Sequence, residues 1–94
     1  MVNNMTIESD HTELFKTILK LKTIEDCEIF FSDLCTYKEL DAMSQRIGAA
    51  RLLAEGETYE KIISETDISS ATLSRVSKCF KYGKGYKKFV SSNK

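Results

Sequence analysis

The 94-residue chain contains no proline, only one histidine and four glycines, and no CxxC pair among its three cysteines. Each scarcity excludes something. With so little proline and glycine punctuation, and no segment that alternates apolar and polar residues for long, a strand-rich architecture is not supported and helices are expected throughout. A disulfide framework would use an even number of cysteines in an oxidising compartment, whereas Cys27, Cys35 and Cys79 fit a reducing one. They are expected as small buried hydrophobes. The only ligand set a metal could recruit from them is completed by His11, and its members are scattered along the chain, so no metal is expected. The longest apolar runs are two to four residues, against the ~20 needed to cross a bilayer. The N-terminal stretch MVNNMTIESD has neither a basic nor an apolar segment of the kind that directs export. A soluble, cytoplasmic protein without membrane contact, associated with the nucleoid if it binds DNA, is the expectation.

Acidic residues are also missing from one place. All 14 lie within residues 1–67, together with seven basic residues, for a net charge of −7, and residues 68–94 carry seven basic residues and no acid, for +7. The chain as a whole is neutral. Such division points to a polyanion at one end. A solvated basic tail would give the same count. The length suits one domain, and a chain this short buries only roughly two-thirds of its unfolded surface, so a second subunit would help to stabilise it.

What is present is helical periodicity. Leu14, Phe15, Ile18, Leu19 and Leu21 predict a first helix beginning near Ser9 to Thr12 and ending near Lys22. Thr23 then caps a second helix, in which Ile24, Cys27, Phe30, Phe31 and Leu34 recur to about Cys35 and Asp26 complements the macrodipole. Thr36, Tyr37, Lys38 and Glu39 form a capping-box sequence opening a long third helix. Its expected buried stripe is Leu40, Met43, Ile47, Ala50, Leu53 and Ala54, and Gly56 ends it. There is no internal repeat.

Residues 58–80 read TYEKIISETDISSATLSRVSKCF. Thr58 caps a short helix with Tyr59, Ile62, Ile63 and Thr66 on one face. Asp67 stands where a tight turn needs a residue that tolerates the left-handed region. Ile68 can plug the angle, Ser69 caps the next helix, and Leu73, Val76 and Phe80 bury it. This is the layout of a helix-turn-helix. Short side chains at the start of its second helix, Ser70, Ala71 and Thr72, allow close approach to base edges, with Ser69 and Ser74 beside them. Lys78 and Lys81 suit phosphates, and Arg75 suits either.

The ordered motifs LDAMSQR, LLAEGETYEKI and SSATLSRV, within residues 30–86, resemble the YerC/YecD family of small Trp-repressor-related proteins, in the Trp repressor superfamily. The resemblance implies an all-α helical bundle with a C-terminal helix-turn-helix, assembled as an intertwined homodimer that binds double-stranded DNA. Residues 9–55 would build the dimer, 58–81 the helix-turn-helix, and 82–94 a basic tail. It also implies an effector pocket: Arg46 and Arg75 match the arginines that hold the corepressor in the tryptophan-gated member. Val76 stands where that repressor has glycine, and Cys79 replaces a pocket serine. An indole would meet a branched side chain and lose a hydroxyl partner, so no tryptophan cofactor is expected, and the identity of any other small-molecule effector is open. Arg46 and Arg75 could instead pair with acids or touch phosphate.

The tail lysines Lys81, Lys84, Lys87, Lys88 and Lys94 surround Tyr82, Tyr86 and Phe89, which are expected to pack onto the domain. Its GKG element is too short for a nucleotide loop. One histidine and no paired catalytic constellation exclude an enzyme from serious consideration. The function expected is a sequence-specific repressor on a roughly palindromic operator. The alternatives are a protein-interaction module and a non-specific architectural DNA binder.

Overall fold

The structure, a computed structural model, describes the backbone of residues 3–90 and the side chains of residues 10–90. Lys94 of the tail lies outside them. The described residues form six helices: α1 Asn3–Ile18, α2 Ile24–Leu34, α3 Tyr37–Ala54, α4 Tyr59–Thr66, α5 Ser70–Tyr82 and α6 Gly85–Phe89. No strand occurs among them. The fold is all-α, as the periodicity predicts. The chain divides into two compact units, Met1–Thr36 and Tyr37–Lys94.

In the first unit, α1 stops four residues before the expected Lys22. The amides of Lys20 and Leu21 bond to the carbonyls of Thr17 and Ile18, tightening the last turn. The Lys22 amide is then claimed by the Asp26 carboxylate at 3.0 Å, while the Thr23 hydroxyl accepts from the Asp26 amide at 2.9 Å. This reciprocal cap starts α2 and leaves no backbone donor at Lys22 for α1 to use. Phe30 and Phe31 meet edge to face, 5.3 Å between ring centres. No residue of α2 is buried, and Ile24 and Ile29 are 80% and 62% exposed.

The second unit holds the core: Ala49, Ala50 and Leu52 of α3, Ile62 of α4, Ile68 of the turn, and Leu73 and Val76 of α5. Leu53, Tyr86 and Val90 pack against it. The stripe expected on α3 is therefore only partly right. Ala50 and Leu53 face inward, but Ala49 and Leu52 are the other buried residues, Leu40, Met43 and Ala54 are half-buried, and Ile47 is exposed. Within this unit α3 packs through its C-terminal half, and the alanine pair lets α4 and α5 approach its backbone closely. Glu57 donates to the Leu52 carbonyl and Gly56 to that of Leu53, at 3.1 and 3.0 Å, with Gly56 at φ 86°. These two bonds close α3 in a Schellman motif, for which glycine has the conformational freedom.

The cysteines are not buried. Cys27 and Cys79 are exposed and Cys35, the C-cap of α2, is half-buried. All three thiols are free. No described helix is long and apolar enough to cross a membrane, and no group of three or more His, Cys, Asp or Glu among the described residues is set to hold a metal ion.

The turn between α4 and α5 follows the expected design, with Asp67 at φ 59° and ψ 15° and Ile68 2% exposed. Replacing Asp67 with glycine should relieve the left-handed strain, whereas a β-branched valine should lose about 1–2 kcal/mol. Ile68→Ala should cost about 2–5 kcal/mol through the cavity it leaves. Urea unfolding at matched protein concentration measures all three, and an Asp67→Val variant as stable as the parent would contradict this account of the turn.

Candidate nucleic-acid interface and adjoining cavity

The interface is built from the turn outward. Thr58 caps α4, its hydroxyl accepting from the Lys61 amide at 3.2 Å. At the other end the Thr66 hydroxyl donates to the Ile62 carbonyl at 2.7 Å and accepts from the Ile68 amide at 3.3 Å. Thr66 thus ties the last turn of α4 to the plug residue, a role that its place on the apolar face did not reveal. The Asp67 amide closes on the Ile63 carbonyl at 3.2 Å. Ser69 then caps α5, accepting from the Thr72 amide at 3.1 Å and donating to the Thr72 hydroxyl oxygen at 2.9 Å. The first turn of α5 is held from two directions before any ligand arrives.

Leu73, Val76 and Ser77 turn α5 inward, and Phe80 is half-buried rather than fully packed. The opposite face is open: Ser70, Ala71, Ser74, Arg75, Lys78 and Lys81 are all exposed, as is Ser69, and Thr72 is half-buried. Every residue expected to face DNA therefore lies on or beside one accessible side of one helix. The ion pairs lie elsewhere. Arg51 meets Glu55 at 3.5 Å, and Lys61 meets Glu57 and Glu65 at 3.7 and 3.9 Å. These are solvent-exposed i, i+4 pairs on α3 and α4 and contribute little to stability. The cations of α5 have no carboxylate partner among the described residues.

A cavity of about 610 Å³ lies against α5, lined by Arg46, Thr72, Arg75, Val76, Cys79 and Tyr86. All four residues expected to line an effector pocket meet there. Arg46 reaches it from α3 and is half-buried, while Arg75 comes from the exposed side of α5. Thr72 and Tyr86 were not anticipated. The spacing of Tyr86 and Val90, four residues apart in an otherwise basic tail, was the available signal for the latter.

Tyr86 lies in the part of the tail that forms α6. The amide of Gly83 caps α5 on the Cys79 carbonyl at 2.8 Å, and a side chain at position 83 would place its Cβ 2.7 Å from that oxygen. Glycine is required by this close approach. The Lys87 ammonium donates to the Lys81 carbonyl at 2.9 Å, anchoring α6 on the end of α5 where a cation also complements the helix dipole. Of the three tail aromatics only Tyr86 packs inward; Tyr82 and Phe89 are 81% and 78% exposed. The Lys88 ammonium lies 5.5 Å from the Phe89 ring centre.

A methyl group at position 83 should push α6 away. Gly83→Ala is expected to raise amide exchange at Val90, whose N–H bonds to the Tyr86 carbonyl at 2.8 Å, by at least about tenfold. Unchanged exchange would mean that α6 does not depend on this contact.

The sequence matches the Trp repressor protein family over residues 9–94. It is 52% identical over 71 residues to the uncharacterized protein YerC of Bacillus subtilis (strain 168), covering 76% of this chain and 68% of that protein. A solved TrpR-like protein from Eubacterium eligens ATCC 27750 superposes with a TM-score of 0.85 at 34% identity, covering 98% of this chain and all of the other. A candidate Trp repressor from Staphylococcus aureus gives 0.81 at 35% identity, covering 90% of this chain and 91% of the other. With a held helix-turn-helix, an uncommitted basic face on its second helix and these likenesses, the chain belongs to the Trp repressor family of DNA-binding regulators.

Proposed function

We propose that the protein is a sequence-specific transcriptional repressor that binds a roughly palindromic operator as a homodimer in the cytoplasm. The observation that carries this reading is the exposed side of α5, where Ser70, Ala71 and Ser74 offer short side chains and Arg75, Lys78 and Lys81 offer unpaired cations. Small groups permit a helix to sit deep in the major groove, and the cations fix its register on the phosphates. In this reading Ser69 to Thr72 with Ser74 meet base edges or nearby phosphates, Lys78 and Lys81 hold the backbone, and Arg75 serves either. The 58–81 segment is the reading head and 82–94 a basic tail that adds sequence-independent, salt-sensitive affinity. Repression follows from occupying the operator, and no chemistry is required of the protein.

The dimer is supported by what residues 9–55 leave uncovered. Ile24, Ile29, Leu34 and Ile47 are 80%, 62%, 48% and 52% exposed, and a short chain rarely leaves so many large apolar groups in water unless a partner covers them. A second copy is the partner this reading assigns. Two-fold symmetry would then place the two α5 helices in successive major grooves, ~34 Å apart.

Selection from a random duplex library should yield a two-fold motif. Against it, Thr72→Gln should change the preferred bases, while Lys78→Ala should weaken all sequences alike and lower the salt slope by about 1. A Lys78→Ala variant with altered site choice would overturn the division of contacts. Ile29→Glu should convert the dimer to monomer in analytical ultracentrifugation and weaken operator binding at least about a hundredfold, since each half-site then binds alone. A variant that remains dimeric would remove residues 9–55 from the interface. An interaction module would show little salt dependence, and an architectural binder no motif.

A further inference from the structure

Thr23, Thr58 and Ser69 each cap a helix by accepting from the amide three residues on, that of Asp26, Lys61 and Thr72 respectively. A cap needs only that acceptor. At α5 there is a further bond, because the Ser69 hydroxyl also donates to the Thr72 hydroxyl oxygen at 2.9 Å. The caps of α2 and α4 make no such second bond among the described residues. The extra bond adds nothing to the backbone of α5, and its effect falls on the Thr72 side chain.

A threonine in a helix divides between two χ1 wells, since its hydroxyl can turn back to a carbonyl one turn earlier. Held by Ser69, Thr72 keeps one. Its oxygen then has one acceptor site occupied and its own proton still to give. The run from the Thr72 amide to the Ser69 hydroxyl to the Thr72 hydroxyl is a chain of donors, and each bond in such a chain strengthens the next. It lies in the first turn of α5, where the positive end of the helix dipole favours an acceptor opposite. Thr72 is half-buried, which confines it further. The hydroxyls of Ser70 and Ser74 differ. Both residues are exposed and neither hydroxyl has a hydrogen-bond partner among the described residues, so each can turn to donate or to accept as a base edge requires.

In the major groove guanine, adenine and thymine each offer at least one acceptor, whereas cytosine offers only its N4 donor. We propose that Ser69 is a positioning residue for specificity: its bond to Thr72 fixes that side chain as a donor, and the pair rejects cytosine at one base position of each half-site. The inference rests on the DNA-binding reading above and narrows the part given there to Ser69, which acts through Thr72.

The experiment uses the full chain. Ser69→Gly removes the hydroxyl where glycine is a tolerated cap, Ser69→Thr restores it, and Thr72→Val removes the oxygen that receives the bond while keeping the branched shape. In the first arm, without DNA, Thr72 χ1 populations are read from three-bond couplings of its methyl carbon in isotopically labelled protein. One well is expected in the parent and in Ser69→Thr, and averaging in Ser69→Gly. A single well in Ser69→Gly would overturn the positioning role. In the second arm, duplexes carrying each base at every position of the selected motif compete for the parent and the variants. Discrimination against cytosine at one position per half-site should fall about threefold to tenfold in Ser69→Gly, the worth of one hydrogen bond, and return in Ser69→Thr. With Thr72→Val already in place, adding Ser69→Gly should alter base preference by less than about twofold, because the two residues act as a unit. Equal weakening of all duplexes by Ser69→Gly would leave Ser69 a helix cap alone and overturn the specificity role, as would a further loss of discrimination in the double variant. If the parent selects no motif, it is the DNA-binding reading that fails, and the couplings still decide whether Ser69 positions Thr72.

Discussion

The placement of Ile68 governs the rest of the second unit. Its side chain is 2% exposed in the angle between α4 and α5, and it contacts a core that also includes Ile62, Leu73 and Val76. To deliver it there, the backbone must reverse at Asp67 through the left-handed region, at a cost of roughly 1–2 kcal/mol for a residue with a Cβ. Burying an isoleucine offsets that cost with about 1.5–3 kcal/mol. Thr66 and Ser69 hold the residues on either side by side-chain bonds to the backbone, so both helix ends are fixed within four residues of chain. The start of α5, where a duplex would be read, therefore inherits its direction from a packing contact rather than from a flexible hinge.

Local features were legible because they are decided within a few residues. Thr23, Thr58 and Ser69 cap helices through bonds to amides three residues on, and Gly56 and Asp67 have the positive φ their chemistry permits. What misled was the question of which neighbour a face would meet. Periodicity shows that Leu40, Met43, Ile47 and Ala50 share a side of α3, but it carries no information on where along the helix a partner packs, and Ile47 is exposed. The cysteines failed for the same reason. Burial preference is a property of residue type, and exposure is a property of position. The cavity was reached partly through family resemblance, which supplied Arg46, Arg75, Val76 and Cys79. Tyr86 could not come that way, since its contribution depends on a chain reversal that requires the Cβ-free approach of Gly83 to the Cys79 carbonyl.

The division of charge along the sequence has a structural counterpart. The three ion pairs among the described residues lie between Arg51 and Glu65, where acids and bases alternate on helix surfaces. Beyond Asp67 there is no carboxylate side chain, and among the described residues no acid from earlier in the chain pairs with the cations of α5 and α6. Lys87 uses the Lys81 carbonyl and so ties α6 to α5, while Lys88 lies over the ring of its exposed neighbour Phe89. Arg75, Lys78 and Lys81 remain uncommitted. Excluding acids from this segment keeps a polyanion's counter-charges available and avoids the loss of exposed pairs on binding, a loss that would otherwise subtract from affinity.

Along α5 this produces a graded division of labour. Its first turn is held by Ser69 and carries short side chains, its last is held by Lys87 on the Lys81 carbonyl, and Arg75 lies between with no tie to either. A side chain fixed at neither end can change partners without disturbing the helix that presents it. Leu73 and Val76, buried in the core on the other side, hold the middle of the helix in place, so the freedom belongs to the Arg75 side chain and not to the backbone that carries it. A guanidinium suits that middle position better than an ammonium would, since its planar fork grips a phosphate, a carboxylate or a guanine edge with the same two bonds.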